Sequence, residues 1–411
     1  MKTPKNVFFL ITIIIILFIF RYIFSVLAIH YLPQVKWSNE SASQQYTIPN
    51  SVTGQKPELN LTNLWLKWDS NKYMDIAQHG YEQIPYEDTR LHNWAFYPLY
   101  PIVIGSISYL FGYTNNTQMV FLTGIIISSI FLILSLLMLK KLLHYFQLDD
   151  LKIYSIILLL LAFPSGYFFQ LFYPESLFLF LSITFFYYLF KKQYLLSAVC
   201  LSLALITRPN ALVLILPFFF YLAFHDYKKP LNLIISGVGY AAIIFTPLLL
   251  FFNHLYLTTG EFFASFKIQK AWNNEGFTPF GYFITYLKVY GWTIRPEHIL
   301  SVILLIALIT GSVISFVFFW KKRNFRYNHI ESELIALFLY VFGYVFLLCS
   351  MKNLSSTFRH SGANFAFFSL PILLFNFTVK NRLLLFALIV SVITQLIFFI
   401  LFLTLIPIYG F

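Results

Sequence analysis

Apolar residues run almost unbroken from Val7 to Ile29, a polar stretch occupies roughly residues 30–95, and beyond it apolar segments alternate with short polar breaks. At 1.5 Å per helical residue the first run is long enough to cross a hydrocarbon layer of about 30 Å. Its length, with no clear small-x-small pattern behind it, predicts a retained first span and not a cleaved signal peptide. The later segments fall near 96–113, 119–139, 151–169, 173–190, 195–206, 210–224, 231–251, 297–320, 333–350, 361–379 and 383–405. Several are too short to cross alone. The pattern predicts about eleven crossings, within two, with one early segment re-entrant or Lys140-Lys141 facing outward.

Within the polar stretch, residues 30–65 carry Ser41-Ala42-Ser43-Gln44-Gln45, Pro49, Gly54 and Pro57 and read as loop. From Thr62 the periodicity changes. Thr62 or Asn63 caps an expected helix through Leu64, Trp65, Trp68, Ile76 and Ala77 that stops near Gly80. Its aromatic and aliphatic face suits a helix lying along the membrane surface. The chain therefore reads as one all-α, polytopic integral-membrane unit over residues 1–411. A large first extracytoplasmic loop covers 30–95, with short membrane-surface helices, and a second polar connection covers 252–296. No internal repeat and no separate soluble domain is visible.

Composition excludes a soluble alternative: 59% of residues are hydrophobic and 11% charged, against about 25% charged in an ordinary soluble domain. The formal charge of +12 would point to nucleic acid in a soluble protein. Here the basic residues cluster between apolar runs, at Lys140-Lys141, Lys191-Lys192, Lys228-Lys229, Lys321 to Arg326, and Lys380 with Arg382. That is a positive-inside pattern, so the expected partner is the lipid bilayer and not nucleic acid. With Lys2 and Lys5 on the cytoplasmic side, the 30–95 loop, Glu175, Arg208, the 252–296 connection and Arg359-His360 gather on the outer face. Cys200 and Cys349 both lie in apolar runs, which supports neither a disulfide framework nor a cysteine metal site. No His, Asp or Glu cluster has zinc or two-metal spacing, and no glycine-rich phosphate loop follows a strand signal.

The 30–95 stretch holds seven of the sixteen acidic residues, Glu40, Glu58, Asp69, Asp75, Glu82, Glu87 and Asp88, so chemistry is expected there. On a helix Asp69 shares a face with Lys72 and Tyr73, while Asp75 and His79, four apart, are placed to pair. A carboxylate beside Trp68 at an interface is partly desolvated, which raises its pKa toward the range useful to a general base. A surface helix whose acids simply face water is the other reading. Glu175, at the head of an apolar segment, must be paired or wetted, either in a site or among lipid headgroups. Arg208 in Leu-rich sequence needs an anionic partner such as Glu175 or a lipid phosphate, or snorkels from a helix broken at Pro209. An outward Arg359 runs against the positive-inside trend.

Trp68-Asp69 with Ala77, Gly80 and Tyr81, followed by Phe96-Tyr97-Pro98-Leu99-Tyr100-Pro101, resembles the signature of the PIG-V family of mannosyltransferases, within the polytopic GT-C superfamily. Phe172-Tyr173-Pro174-Glu175-Ser176-Leu177-Phe178 is similar to a further element of that family, with Pro174 in place of the usual Thr. Thr207-Arg208-Pro209-Asn210 resembles another, with Ala211 in place of Gly. Gln269 and Trp272 match a Gln-x-x-Trp element of bacterial relatives, though Asn273-Asn274-Glu275 follows where an Arg is usual. Phe358-Arg359-His360 is similar to the superfamily's Arg-Tyr element before a late span containing a proline, here Pro371.

The resemblance implies a GT-C fold and an inverting membrane glycosyltransferase that moves a hexose, mannose in the family, from a polyprenyl-phosphate donor to an acceptor hydroxyl. It implies Asp69 as the base, with Glu175 beside it in the catalytic centre, and Arg208, Arg359 and His360 at the donor phosphate. Trp68, Lys72, Tyr73, Asp75, His79, Gln269 and Trp272 become candidates for acceptor or sugar contact. The acceptor class stays open among glycolipid, glycan and protein. No cofactor is assigned, and a divalent cation, Mg2+ or Mn2+, is left open with no ligand set. The expected setting is a multi-pass prokaryotic plasma-membrane protein with its site facing outward. A lipid flippase or solute transporter, or a noncatalytic subunit of the same fold, would also suit many spans with isolated Arg and Glu residues.

Overall fold

The computed structural model of the protein describes residues 4–31, 61–226, 230–271, 278–281, 283–284, 296–322, 330–351, 357–375 and 382–403. Residues 32–60 of the expected loop, Trp272 with residues 273–277, 282 and 285–295 of the second polar connection, and Lys2, Lys228-Lys229 and Lys380 lie outside the described residues. Among those described, the regular elements are helices and short 3-10 turns. In chain order the helices are α1 (Pro4–Tyr31), α2 (Leu61–Trp65), α3 (Asp69–His79), α4 (Leu99–Leu110), α5 (Thr117–Tyr145), α6 (Asp150–Ala162), α7 (Glu175–Phe190) and α8 (Tyr194–Leu205). There follow α9 (Ile215–Asp226), α10 (Pro230–Thr259), α11 (Ala264–Lys267), α12 (Pro296–Lys322), α13 (Glu331–Ser350), α14 (Thr357–Gly362), α15 (Ala366–Phe375) and α16 (Arg382–Leu403).

Among the described residues six helices are long and apolar enough to cross a membrane, within α1, α5, α10, α12, α13 and α16. That is fewer than the eleven or so expected, because breaks divide several of the apolar runs into shorter helices. Pro164 follows the end of α6, and a 3-10 turn over Gly166–Gln170 replaces the helix that the 151–169 run predicts. Pro209 opens a second 3-10 turn, Pro209–Leu214, between α8 and α9. A proline removes an amide donor and clashes with the preceding turn, so both interruptions have a local cause.

The centre of the bundle is α7, packed between α5 and α8 and apolar on every side. A helix hydrophobic all round belongs in an interior and not at a lipid boundary. Two close approaches seat the elements that lead into it. A Cβ on Gly124 of α5 would lie 2.2 Å from the Phe172 ring, and one on Gly105 of α4 would lie 2.6 Å from the Ala77 carbonyl oxygen of α3. The apolar face of α3, with Tyr73, Met74, Ile76 and Ala77 buried, thus packs on α4 and α5. The sequence had assigned that face to the bilayer surface.

Polar cross-links tie the frame together. The Arg21 guanidinium, in the α1 span, donates to the Gln170 side-chain oxygen, and Gln170 donates back to the Ile14 carbonyl at 3.0 Å. At the end of the bundle where α7 stops, the buried Glu333 of α13 is fully occupied. It accepts from Tyr145 of α5 at 2.8 Å, Tyr221 of α9 at 3.1 Å and its neighbour Ser332 at 2.8 Å. Lys191 lies 5.2 Å over the Tyr145 ring at the same end.

Gly105→Ala forces α3 off α4, because the obstacle is backbone and not a movable side chain. The expected cost is about 1–3 kcal/mol, read as a lowered thermal midpoint of the detergent-solubilised protein, with Gly311→Ala, which meets open space, as the unshifted control.

Candidate active site

The candidate site begins at a helix break that the sequence does not reveal. The Lys67 carbonyl accepts from the Ser70 amide at 3.2 Å, the Ser70 hydroxyl at 2.5 Å and the Tyr173 hydroxyl at 2.8 Å. With that oxygen occupied, Trp68 turns to φ 57°, ψ −132°, a sparsely populated conformation that costs an ordinary residue about 1–3 kcal/mol. The continuous helix expected over 62–80 is therefore two helices, and Asp69 becomes the first residue of α3. A carboxylate is favoured there by the unsatisfied amides and positive end of the helix.

Four charges from distant parts of the chain meet at this point in alternating order. Asp69 Oδ2 lies 2.8 Å from Arg359 Nη1, and Arg359 Nε lies 3.4 Å from Glu175 Oε1. The same Glu175 oxygen accepts from Arg208 Nη1 at 2.6 Å, and Arg208 Nη2 approaches His360 Nδ1 at 2.7 Å. Glu175, the first residue of α7, is 2% exposed, Arg208 6% and Arg359 9%, whereas Asp69 is 17% exposed. Asp69 is thus the member that an incoming molecule reaches first. The Arg359 guanidinium also stands 5.6 Å from the Phe168 ring and 5.5 Å from the Tyr173 ring, contacts that favour a desolvated cation.

Burial acts against the charge on Arg359, but Asp69 and Glu175 outweigh it and raise its pKa, so it stays a guanidinium. Burial lowers the His360 pKa well below its usual value, and the nearby Arg208 and Arg359 lower it further. His360 is accordingly neutral, and its Nδ1 is free of a proton to receive the Arg208 N–H. Tyr344 donates to the His360 carbonyl at 2.9 Å, and Asn210 donates to Tyr344 at 3.2 Å, which fixes α14 against α13.

The network is not closed. Arg359 Nε and Nη1 approach their carboxylates at ion-pair distance but without hydrogen-bond alignment, and Glu175 Oε2 is buried with no partner among the described residues. Buried donors and acceptors in native proteins are nearly always satisfied, and departures cluster where a ligand binds.

The other candidates divide. Tyr73 is buried edge-on to Phe96, Tyr100 and Tyr173 and lies close enough to feel Asp69, Glu175, Arg208 and Arg359. Trp68 and Lys72 flank it, both half-buried. Asp75 and His79 pair at 3.1 Å as the sequence predicts, and Asp75 also accepts from Asn93 at 2.8 Å. They form a separate cluster, about two to three turns along α3 from Asp69. Gln269 sits on the 3-10 turn Ile268–Lys270, which the 2.9 Å pair of Lys270 with Asp88 fastens to the 80–95 loop. Among the described residues no group of three or more His, Cys, Asp or Glu is placed to hold a metal ion. Asp69 and Glu175 converge on Arg359, while Asp75 is committed elsewhere.

Sequence reasoning passed over Lys67 and Tyr173 as site residues. Their only signal was position, one immediately before Trp68-Asp69 and the other before Pro174-Glu175.

The chain is similar to GPI mannosyltransferase 2 of Yarrowia lipolytica, with 29% identity over 176 residues. The match covers 41% of this chain and 45% of that protein, so it spans less than half of either and marks a distant homolog. No protein-family model and no solved structure matches the chain.

Glu175→Ala strands two buried guanidinium groups and is expected to destabilise the protein by about 3–5 kcal/mol. His79→Ala breaks only the exposed pair with Asp75 and is expected to cost about 1 kcal/mol or less. Denaturant unfolding of the two purified variants in one detergent checks the contrast.

Proposed function

We propose that this chain is a membrane glycosyltransferase of the GT-C type, transferring a hexose, mannose by its resemblance, from a polyprenyl phosphate to an acceptor hydroxyl. The observation that carries this reading is the Asp69–Arg359 pair. A partly exposed carboxylate lies 2.8 Å from Arg359 Nη1, and among the described residues neither that nitrogen nor Nε has an aligned hydrogen-bond partner. The distant homology to a mannosyltransferase supports the same class.

In this mechanism the donor phosphate draws Arg359 away from Asp69 by offering better-aligned oxygens, a geometry that guanidinium groups favour. Asp69 is then free to accept the proton of the acceptor hydroxyl as that oxygen attacks the anomeric carbon from the face opposite the phosphate. The carbon–oxygen bond to phosphate breaks, its electron pair leaves on the phosphate, and configuration inverts. Arg359, backed by Glu175 and Arg208, stabilises the growing negative charge.

Two further features support a lipid-borne donor delivered from the outer face. A mainly apolar groove between α12, α13 and α15, lined by Leu308, Val341, Phe367 and Leu370 with Ser312 and Ser315, runs beside α15, the helix after the one that carries Arg359. An isoprenoid tail suits such a lining. Glu175 opens α7 and Lys191 follows its end, about 24 Å away at 1.5 Å per residue. The charged centre and this basic cluster therefore occupy opposite ends of one helix, as an outward site with a positive-inside topology requires.

Full-length protein reconstituted with mannosyl-phosphoryl-polyprenol and membrane-extract acceptors tests the reading. Transfer is expected in the wild type. Asp69→Asn should lower turnover by about 10²–10⁴-fold, the range a general base supplies. Arg359→Lys, which keeps the charge and loses the planar fork, should lower it by at least about 10-fold. Wild-type turnover in Asp69→Asn removes the base assignment, and lipid translocation without sugar transfer makes the chain a transporter.

A further inference from the structure

Lys67 is a buried cation that this mechanism does not use. Its side chain is 3% exposed, and among the described residues no carboxylate pairs with it. Its Nζ donates to the Leu403 carbonyl in the last turn of α16 and stands 6.0 Å from the Phe402 ring. Burying an ammonium is costly. The Leu403 carbonyl and an aromatic face offset part of that cost, and both are supplied here by α16. Burial still pulls the Lys67 ammonium down to about 7. A residue needed only to fill space would be apolar, like its neighbour Leu66.

The backbone of the same residue holds the other half of the arrangement. Its carbonyl takes the Ser70 amide and hydroxyl at the start of α3, and the Tyr173 hydroxyl from the segment leading into α7. The Tyr173 ring in turn lies against Arg359. On the opposite side, Phe358 of α14 packs edge-on against Phe398 of α16 at 4.9 Å. Helix α16 therefore touches both partners of the central ion pair, through Lys67 on the Asp69 side and through Phe358 on the Arg359 side.

Resting on the transferase reading, we propose that Lys67 is a positioning residue whose ammonium, docked on the carboxyl end of α16, sets the turn that delivers Asp69 to Arg359. It touches neither substrate nor the reacting atoms. Its effect is to hold the base and its guanidinium partner on one common support.

Lys67→Met and Lys67→Arg in the full chain, reconstituted and assayed with mannosyl-phosphoryl-polyprenol, test this. The Met variant should lose about 100-fold in kcat, the scale of a misplacement near 1 Å, with the donor KM held within about threefold. The Arg variant, which keeps a donor to Leu403, should recover most of that loss. Hydrogen exchange provides a readout independent of activity: amides of residues 66–74 should exchange faster in Lys67→Met than in wild type or Lys67→Arg, with α5 and α7 unchanged. Wild-type kcat and exchange in the Met variant overturn the proposal. A raised donor KM at unchanged kcat overturns it too, by making Lys67 a substrate ligand. If the wild type transfers no sugar, the transferase reading falls and the exchange comparison alone decides the positioning role. Should Lys67→Met not accumulate, Tyr173→Phe strips one donor from the Lys67 carbonyl and should loosen the same peptide, and an unchanged peptide there overturns the idea.

Discussion

The structure is organised around the problem of placing two carboxylates and two guanidinium groups where water is scarce. Each alone would cost several kcal/mol after relaxation. Alternating as Asp69, Arg359, Glu175 and Arg208, each cation sits beside at least one anion. That alternation constrains the backbone, because all four side chains must start from the same depth. Asp69 and Glu175 each begin a helix, Arg208 precedes the proline-led turn, and Arg359 lies on a helix of six residues. The breaks in the apolar helices are thus the means by which distant charges reach one another.

The network is ionically balanced and geometrically incomplete. Glu175 and Arg208 share an aligned bond of 2.6 Å, while Arg359 is held by proximity and by two aromatic rings. A guanidinium so placed can exchange one anionic partner for another without leaving a bare charge behind. A wholly aligned quartet would have to break bonds before it could bind anything.

Much of this was legible in the chain, for identifiable reasons. Asp69, Glu175, Arg208, Arg359 and His360 stand out because charged or polar groups in apolar surroundings are costly, and the structure brings all five into contact. The apolar spans were legible as composition, but their division was not: the run at 151–169 reads as one segment until Pro164 and the Gly166–Gln170 turn are seen to interrupt it. The break before Asp69 was invisible because it depends on a hydroxyl 106 residues away, that of Tyr173. The role of Lys67 was hidden for the same reason, since the carbonyl it reaches is 336 residues distant. Local pattern reports what a residue costs, and the fold decides what meets that cost.

The carboxylate of Glu333 carries a consequence for motion. With both oxygens bonded to groups from α5, α9 and its own helix, it rivets one end of the bundle, whereas Glu175 at the other end keeps an oxygen unbonded among the described residues. Glu333 therefore resists movement of α5, α9 and its own helix past one another, because any such movement strands a buried carboxylate.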